Sequence, residues 1–352
     1  MQQSFVRAIR TLAVASALIA TGAATAFAQA APANAPVTAV GILHLNIANL
    51  DRSLAFYRDL LGMEVTAAPA APAANPGLVA DAGAKMRRAI LKVPGGSFSM
   101  ELVEWSGTEL KPVQARIQDP GAVMLAMGVR DLDAKLAAVR KMPGLRVLSH
   151  NQEPFVNTGR DGAKNRAVMI RDEDGIVVEF TDTTNISPNA WPGAITSVGI
   201  FFTANDLEQT VRFYNAAFGL AIPAPMPAAP TTERVKALFD NQGLSTMRTA
   251  RVAFPGTDFT VTFQEFAVAG RKPARHRVQD PGGPIVLVTV KAMVPVLDAI
   301  RANGGILGAG EASVTVPADA RATWTRDPNG VLLRVSLPPQ PRAGGPAPAT
   351  NQ

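Results

Sequence analysis

Cysteine is absent from this chain of 352 residues, and histidine occurs only at His44, His150 and His276. The lack of cysteine excludes disulfides, thiolate nucleophiles and thiolate metal ligands. Any metal site must therefore depend on carboxylates together with one of these few histidines. Stability must come from packed apolar cores, because covalent cross-links are not available.

Clusters of basic residues are missing as well. The formal net charge is only +6, and aromatic residues make up 6% of the chain. Lysine and arginine are spread along the sequence with few aromatic side chains near them. Nucleic-acid binding needs basic clusters with stacking residues, so we expect no nucleic-acid partner.

Long apolar runs are confined to the start of the chain. Residues 1–30 combine Arg7 and Arg10 with an apolar stretch shorter than a membrane span and with an Ala-x-Ala pattern ending at Ala28 or Ala30. This combination predicts a secretory signal peptide; an uncleaved membrane anchor is the alternative, which the many Ala and Gly residues disfavour. We expect a periplasmic or secreted bacterial protein without membrane contact after cleavage.

Segments rich in Pro, Ala and Gly flank the remainder of the chain. They predict a disordered leader over 31–37 and a disordered tail over 338–352, because such compositions bury too little apolar surface to order themselves. The residues between them suffice for two domains of ordinary size.

A repeated hexapeptide reveals how those domains arose. "RIQDPG" at 116–121 returns as "RVQDPG" at 277–282, inside longer stretches that align without a gap. This self-similarity indicates a tandem duplication, with a first domain over 38–182, a linker over 183–194 and a second domain over 195–337. The Pro and Gly of the hexapeptide predict a turn.

Each half also repeats internally. "IANLDRSL" from Ile47 resembles "VRDLDAKL" from Val129, and each segment follows a strand-like run and opens a helical pattern. Short strands bounded by Gly, Pro and Asp come after each helix. The repeating unit therefore reads strand, helix and three strands, used four times, and predicts an α+β protein.

The segment "GILHLNIANLDRSLAFYRDLLGMEV", residues 41–65, resembles the opening of vicinal oxygen chelate domains, the superfamily of glyoxalase I, extradiol dioxygenases and bleomycin-resistance proteins. The resemblance extends over nearly all of 38–337 and also rests on the strand ends "SMELVEW" and "GIVVEF". It implies an α+β fold of four βαβββ modules paired into two tandem glyoxalase-like domains. Each domain would be a curled mixed sheet around a cleft.

The resemblance also implies where metal ligands would lie, on the first and last strands of both modules of a domain. The last-strand positions are Glu101 and Glu179, whereas the first-strand positions, Ile42 and Met124, do not suit a hard cation. His44 shares a strand face with Ile42 and can replace it. The implied metal set is therefore His44, Glu101 and Glu179, holding one divalent ion (Fe, Mn, Zn or Ni) in the first domain.

The two glutamates are also the candidate catalytic residues. Glu179 lies within the apolar run 177–180, where a carboxylate is costly unless it meets a cation or hydrogen-bond donors. The alternative for Glu179 is a structural ion pair with Arg171 or Arg88. Glu101 holds the aligned position in the preceding module.

The second half lacks the corresponding residues. Thr262 aligns with Glu101, Arg334 with Glu179 and Phe201 with His44, so we expect no metal in the second domain. If Arg334 faces into the cleft, it would favour an anionic ligand. The alternative is that Arg334 pairs only with Glu265.

Three functions remain open at this point. The favoured one is binding of a small oxygen-rich organic molecule in the N-terminal cleft, with a degraded metal site and with His44, Asn46, Met124 and Arg334 as ligand-binding residues. The alternative is a metal-dependent lyase, isomerase or dioxygenase using His44, Glu101 and Glu179. The third is an interaction module without catalysis. Either a monomer or a homodimer is compatible with the sequence.

Overall fold

The computed structural model of the protein describes residues 35–74, 78–159, 161–253 and 257–339. The predicted signal peptide, most of the predicted leader and nearly all of the predicted tail lie outside the described residues. The last three leader residues are ordered: Ala35 is buried, and the carbonyl of Pro36 accepts a hydrogen bond of 2.8 Å from the Lys291 backbone.

The N-terminal half consists of two modules. Module 1 contains β1 (Val37–Ile47), α1 (Leu50–Leu54) continued by a π-helical turn (Ala55–Leu60), β2 (Glu64–Ala67), β3 (Ala73–Ala74), β4 (Lys85–Lys92) and β5 (Ser99–Ser106). Module 2 contains β6 (Val123–Val129), α2 (Leu132–Val139), β7 (Arg146–Val147), a 3-10 turn (His150–Gln152), β8 (Phe155–Thr158), β9 (Lys164–Arg171) and β10 (Val177–Thr183).

The C-terminal half repeats this order. Module 3 contains β11 (Ile195–Thr203), α3 (Leu207–Phe218), β12 (Ala229–Pro230), α4 (Glu233–Leu238), β13 (Thr246–Ala253) and β14 (Thr260–Ala267). Module 4 contains β15 (Pro284–Val290), α5 (Met293–Ala302), β16 (Ile306–Leu307), β17 (Ala322–Arg326) and β18 (Leu332–Ser336). Helix α4 is an addition that only module 3 has among the described parts of the four modules.

Three of the long helices begin where the sequence places a capping side chain. Asn49, Asp131 and Asp206 each accept a hydrogen bond from the backbone amide three residues later, at 2.9 to 3.1 Å. Such caps satisfy amides that a helix leaves unpaired at its start. The repeated "NLD", "DLD" and "NDLE" motifs therefore mark helix starts in modules 1, 2 and 3.

The strands form two nine-stranded mixed sheets. In one, β1 pairs antiparallel with β15, so module 1 is joined to module 4; we call it the 1–4 sheet. In the other, β6 pairs antiparallel with β11, so module 2 is joined to module 3; we call it the 2–3 sheet. The predicted α+β class and the four modules in two mixed sheets are confirmed.

The partners of the modules differ from those expected in chain order. The clefts inferred from the sequence required modules 1 and 2 to share a sheet, and this expectation is wrong because their first strands pair with modules 4 and 3 instead. The boundaries 38–182 and 195–337 describe the sequence repeat, and as domain boundaries they stay a prediction.

Modules 1 and 2 are connected through a helix, and so are modules 3 and 4. The Tyr57 hydroxyl donates to Asp172 at 2.8 Å and the Ser53 hydroxyl donates to Asp174 at 3.1 Å, so a turn of module 2 anchors the helix of module 1. Tyr214 and Asp327 repeat the first contact at 3.3 Å between modules 3 and 4. The two sheets thus join module 1 to module 4 and module 2 to module 3. Hydrogen bonds from the helices join module 1 to module 2 and module 3 to module 4.

The repeated hexapeptide forms the crossing point of the two long connections. Asp119 accepts a hydrogen bond of 3.0 Å from the Lys272 backbone, and Asp280 accepts one of 2.9 Å from the Lys111 backbone, so each connection holds the other. Gly282 has φ of 80°, and a Cβ atom there would lie 2.2 Å from the carbonyl oxygen of Asp174. The motif occurs twice because the crossing is symmetrical and tight.

One apolar core lies between the two sheets and contains helices α1, α2, α3 and α5. The Phe56 ring of the π-helical turn stacks 6.2 Å from Phe180 of β10, and Leu43 of the 1–4 sheet meets Ile200 and Phe202 of the 2–3 sheet. Because one face of each sheet packs against these four helices in the shared core, the other face points away from it. Within the described ranges, every helix is too short or too polar to cross a membrane.

Candidate functional site

The outward face of the 1–4 sheet carries a buried polar pair, His44 and Glu101. Strands β1 and β5 run parallel with these two residues side by side in the register. The His44 Nδ1 atom lies 3.1 Å from Glu101 Oε2, and both residues are at most 7% exposed. We call this surface the His44 face.

The orientation of Asn46 places a second acceptor beside His44. Asn46 donates to the Gly283 carbonyl at 3.0 Å and accepts from the Trp105 indole at 3.1 Å, so its Oδ1 atom points toward His44. His44 Nε2 lies 3.0 Å from that oxygen. One ring nitrogen of His44 therefore faces the Asn46 oxygen and the other faces the Glu101 carboxyl group.

Glu101 is further stabilised by Arg88, whose guanidinium donates to Glu101 Oε1 at 2.9 Å. Burial by itself would raise the pKa of Glu101. The hydrogen bond and charge of His44, together with Arg88, outweigh burial and hold the pKa of this carboxyl below its usual value. Glu101 is therefore ionised at neutral pH.

Arg334 lies on the same face, although its position in the sequence placed it in a separate cleft. It comes from β18 of module 4, and its guanidinium carbon stacks 5.1 Å from the centre of the Trp324 ring. Burial lowers the pKa of Arg334, and the nearby charge of Glu101 opposes that effect. The alternative pairing with Glu265 is wrong, because Glu265 accepts a hydrogen bond of 2.8 Å from Arg248.

A segment of module 1 covers the His44 face. The Trp324 indole donates to the Leu78 carbonyl at 3.1 Å, and Leu78 and Val79 pack on an apolar cluster that includes Val103 and Trp105. The His44 side chain keeps only 6% of its exposure.

Glu179 lies on the outward face of the 2–3 sheet, which we call the Glu179 face. It is fully buried, and neither carboxylate oxygen has a hydrogen-bond partner within the described ranges. Its neighbours in the register are Ala126 and Met169, and the guanidinium of Arg234 lies 4.0 Å away. Burial raises the pKa of Glu179 to about 7, and the charge of Arg234 opposes part of that rise.

The predicted set of His44, Glu101 and Glu179 is therefore divided between two sheets. His44 and Glu101 meet as expected, but Glu179 belongs to the other sheet and faces away from the shared core on the opposite side. Met124, a predicted ligand-binding residue, lies on the Glu179 face. The expectation of one site containing both glutamates is wrong, because it assumed that modules 1 and 2 share a sheet.

The residues on the His44 face do not fit a divalent metal ion. Module 4 contributes Ile285, Leu332 and Arg334 opposite the pair, and an arginine beside the site disfavours a cation. Both nitrogens of His44 and both oxygens of Glu101 are already engaged in hydrogen bonds. A metal ion would have to replace these hydrogen bonds. The buried groups that now share them with His44 and Glu101 would then lose their partners.

The Glu179 face does not fit a metal either, since its register neighbours Ala126 and Met169 are poor ligands for a hard cation. A cluster of three carboxylates does occur elsewhere, at Asp206, Glu208 and Glu265. It lies outside both faces, and Arg248 pairs with two of its members.

Four residues of these faces were missed by sequence reasoning. Arg88 and Arg234 were not assigned to the carboxylates that they approach, although Arg88 was considered for Glu179. The stretch "KMRRAILK" does carry a signal for Arg88, since alternation places it on one strand face. Trp105 and Trp324 have no such signal: Trp324 acts through a contact between modules 4 and 1, and the hydrogen bond of Trp105 to Asn46 depends on how β1 and β5 align within module 1.

Fold and site together define a protein of paired βαβββ modules with a polar pair on an outward sheet face. Residues 39–180 match the family model of the Glyoxalase/Bleomycin resistance protein/Dioxygenase superfamily. The match confirms, over this part of the chain, the resemblance seen in the sequence.

One curated relative and two solved structures illustrate the similarity. The chain is 30% identical over 116 residues to a 2-epi-5-epi-valiolone epimerase from Actinomyces sp, covering 31% of this chain and 63% of that protein. A putative dioxygenase from Bacillus subtilis is 13% identical, with 88% and 87% of the two chains covered and a TM-score of 0.46. A glyoxalase family protein from Bacillus cereus is 17% identical, with 44% and 100% covered and a TM-score of 0.35.

Proposed function

We propose that the protein binds a small, oxygen-rich organic molecule on the His44 face without a metal ion. The observation that carries this proposal is the set of polar side chains gathered under a cover on one face: His44, Asn46, Glu101 and Arg334. Buried polar groups in such a concentration are costly for stability, and binding sites are where proteins retain them.

The charges of this face favour a ligand that carries an anionic group. The two guanidinium groups of Arg88 and Arg334 exceed the single negative charge of Glu101. Arg334 presents a planar fork that suits a carboxylate, and Trp324 holds it in place. Hydroxyl or carbonyl oxygens of the ligand would contact His44 and Asn46.

Metal analysis and thermal stabilisation test this proposal. Protein purified without chelator should contain no stoichiometric divalent metal. A panel of small hydroxylated carboxylates should raise the melting temperature of the wild type, and Arg334→Gln should reduce the effect. Arg212→Gln, at an exposed arginine of α3 outside both faces, is the matched control. Stoichiometric metal that is lost in Glu101→Gln would contradict the proposal and favour the metal-dependent enzyme.

A second candidate is proton transfer of the epimerase type, favoured by the hydrogen-bonded pair His44 and Glu101. In such a reaction the Glu101 carboxylate would remove a proton from the substrate carbon, protonated His44 would return one to it, and the hydrogen bond between the two residues would pass the proton from Glu101 back to His44. Incubation with 2-epi-5-epi-valiolone in D2O, followed by NMR, tests it. Deuterium uptake that disappears in His44→Ala supports catalysis, and no uptake in the wild type excludes this reaction.

We also propose that the protein is exported, on the basis of residues 1–30 alone. N-terminal sequencing of the protein recovered from a periplasmic fraction tests this. A mature start just after Ala28 or Ala30 is the expected result, and an intact Met1 in the cytoplasmic fraction contradicts it.

A further inference from the structure

The Glu179 face contains polar atoms that the protein itself leaves unsatisfied. Both oxygens of Glu179 and the Nε atom of Arg234 are buried without a hydrogen-bond partner within the described ranges. The two side chains approach only to 4.0 Å, which is too long for a hydrogen bond. Buried groups of this kind are rare in folded proteins and indicate a missing partner.

A second guanidinium lies on the same face. Arg251 stands across from Thr262 in the register, Thr262 across from Phe201, and Phe201 across from Met124. The Nε atom of Arg251 donates to the Thr262 hydroxyl at 3.3 Å, and the residue is otherwise exposed. Two guanidiniums and one carboxylate leave this face positive, so an anion is the favoured occupant.

The surroundings of Glu179 are apolar. Met124, Met169, Val177 and Leu238 belong to one cluster there, and all are buried. A ligand that fits must therefore combine a small charged end with an aliphatic remainder.

Helix α4 covers this cluster and supplies Arg234. The Ser149 hydroxyl donates to the Leu238 carbonyl at 3.2 Å, and His150 contacts Asp240 at 2.9 Å just beyond the helix. Helix α4 belongs to module 3 and Glu179 belongs to module 2. The two come together because these modules share the 2–3 sheet. We call the contact between His150 and Asp240, which holds α4 over this cluster, the latch.

We propose that the Glu179 face is a second binding site, and that it takes a small 2-hydroxy acid with an aliphatic side chain. The carboxylate of the ligand would accept hydrogen bonds from Arg234, and its hydroxyl would donate to Glu179. The aliphatic side chain would pack against Met124 and Met169. This proposal is independent of the function proposed for the His44 face.

A hydroxyl suits this position better than an ammonium group. The face already carries more positive than negative charge, and an ammonium group would add to the excess. A simple carboxylic acid would satisfy Arg234 but would leave both oxygens of Glu179 unpaired. The 2-hydroxy acid satisfies the two residues together.

Calorimetric titration with 2-hydroxy-4-methylpentanoate tests the proposal, with 4-methylpentanoate and leucine as comparison compounds. The wild type should bind the hydroxy acid about fivefold or more tightly than either comparison compound. Arg234→Gln should weaken binding about tenfold. Arg212→Gln, at an exposed arginine of α3, is the matched control and should change nothing.

Glu179→Leu provides the sharper variant, because leucine suits the apolar cluster and keeps the protein folded. The preference for the hydroxy acid over 4-methylpentanoate should disappear in this variant. Methyl NMR of labelled methionine locates the ligand: Met124 and Met169 signals should shift, and Met86 on the His44 face should not. Absence of binding at about 10 mM probe, shifts at Met86 alone, or full affinity in Arg234→Gln would overturn the proposal.

Discussion

Each of the two outward sheet faces carries a buried glutamate, and the two glutamates occupy equivalent positions in their modules. Glu101 and Glu179 both lie on the last strand of their module, beside the first strand. The register neighbour of Glu101 is His44, whereas that of Glu179 is Ala126. The first carboxylate is satisfied by the protein, and the second is not.

The second partner of Glu101 differs in the same way. Arg88 lies opposite Val103, two residues beyond Glu101, and the corresponding place in module 2, opposite Thr181, is occupied by Ala167. Two exchanges to alanine therefore account for the opposite pKa shifts of the two glutamates. A scaffold can keep a buried carboxylate either as an internal ion pair or as an open acceptor for a ligand.

The largest expected effect comes from making the His44 face resemble the Glu179 face. We expect the double variant His44→Ala with Arg88→Ala to lower the free energy of unfolding by about 3–5 kcal/mol at neutral pH, because Glu101 loses both close partners inside the fold. The pKa of Glu101 should rise above its usual value. Denaturant unfolding and carboxyl NMR measure the two quantities. Adding Glu101→Gln should restore part of the stability, and a double variant as stable as the wild type contradicts the comparison.

The next effect concerns Glu179. Its pKa is raised from 4.5 to about 7, so the folded protein holds a proton that the unfolded chain releases, and stability falls as the pH rises through this window. We expect Glu179→Gln to be more stable than the wild type at about pH 8, by about 3 kcal/mol, with little difference at about pH 4. Unfolding across this pH range measures it. Glu101→Gln should show the opposite sign, since the lowered pKa of Glu101 adds stability above about pH 4.5 that is lost as the pH falls.

A smaller effect tests whether the two halves are anchored alike. Tyr57→Phe removes the hydroxyl that donates to the buried Asp172, and we expect a loss of about 1–2 kcal/mol. Tyr214→Phe should cost less, because Asp327 also accepts a hydrogen bond from Asn329 at 3.1 Å and its contact with Tyr214 is longer. Thermal unfolding of both variants measures the difference. A larger loss in Tyr214→Phe contradicts this ranking.

The smallest effect concerns the latch over the Glu179 face. His150 and Asp240 are both exposed, so His150→Ala should change stability by less than about 1 kcal/mol. Hydrogen exchange of the α4 amides should nevertheless become faster, because one contact that holds the helix is removed. Exchange at the cover of the His44 face, residues 78–84, is the control and should stay unchanged.

Much of the fold was predictable because its signals are local. The helix caps at Asn49, Asp131 and Asp206 and the turns of the repeated hexapeptide follow from short motifs. The meeting of His44 with Glu101 was predictable as well, since both lie in one module and parallel strands align them. The match of residues 39–180 to the superfamily model rests on similar local patterns.

The composition of each site was not predictable. Arg334 reaches the His44 face because modules 1 and 4 share a sheet, and Arg234 approaches Glu179 because modules 2 and 3 share the other. Sequence alignment compared modules in chain order and therefore grouped Glu101 with Glu179. The structure instead combines residues that lie far apart in the sequence.

The amino-acid sequence by itself determined the four modules, the positions of their helices and the presence of a buried glutamate on the last strand of modules 1 and 2. Only the tertiary structure decided which modules share a sheet and thus which residues surround each glutamate. The physical reason is that first strands join through backbone hydrogen bonds, which are the same for every side chain and leave little trace in the sequence.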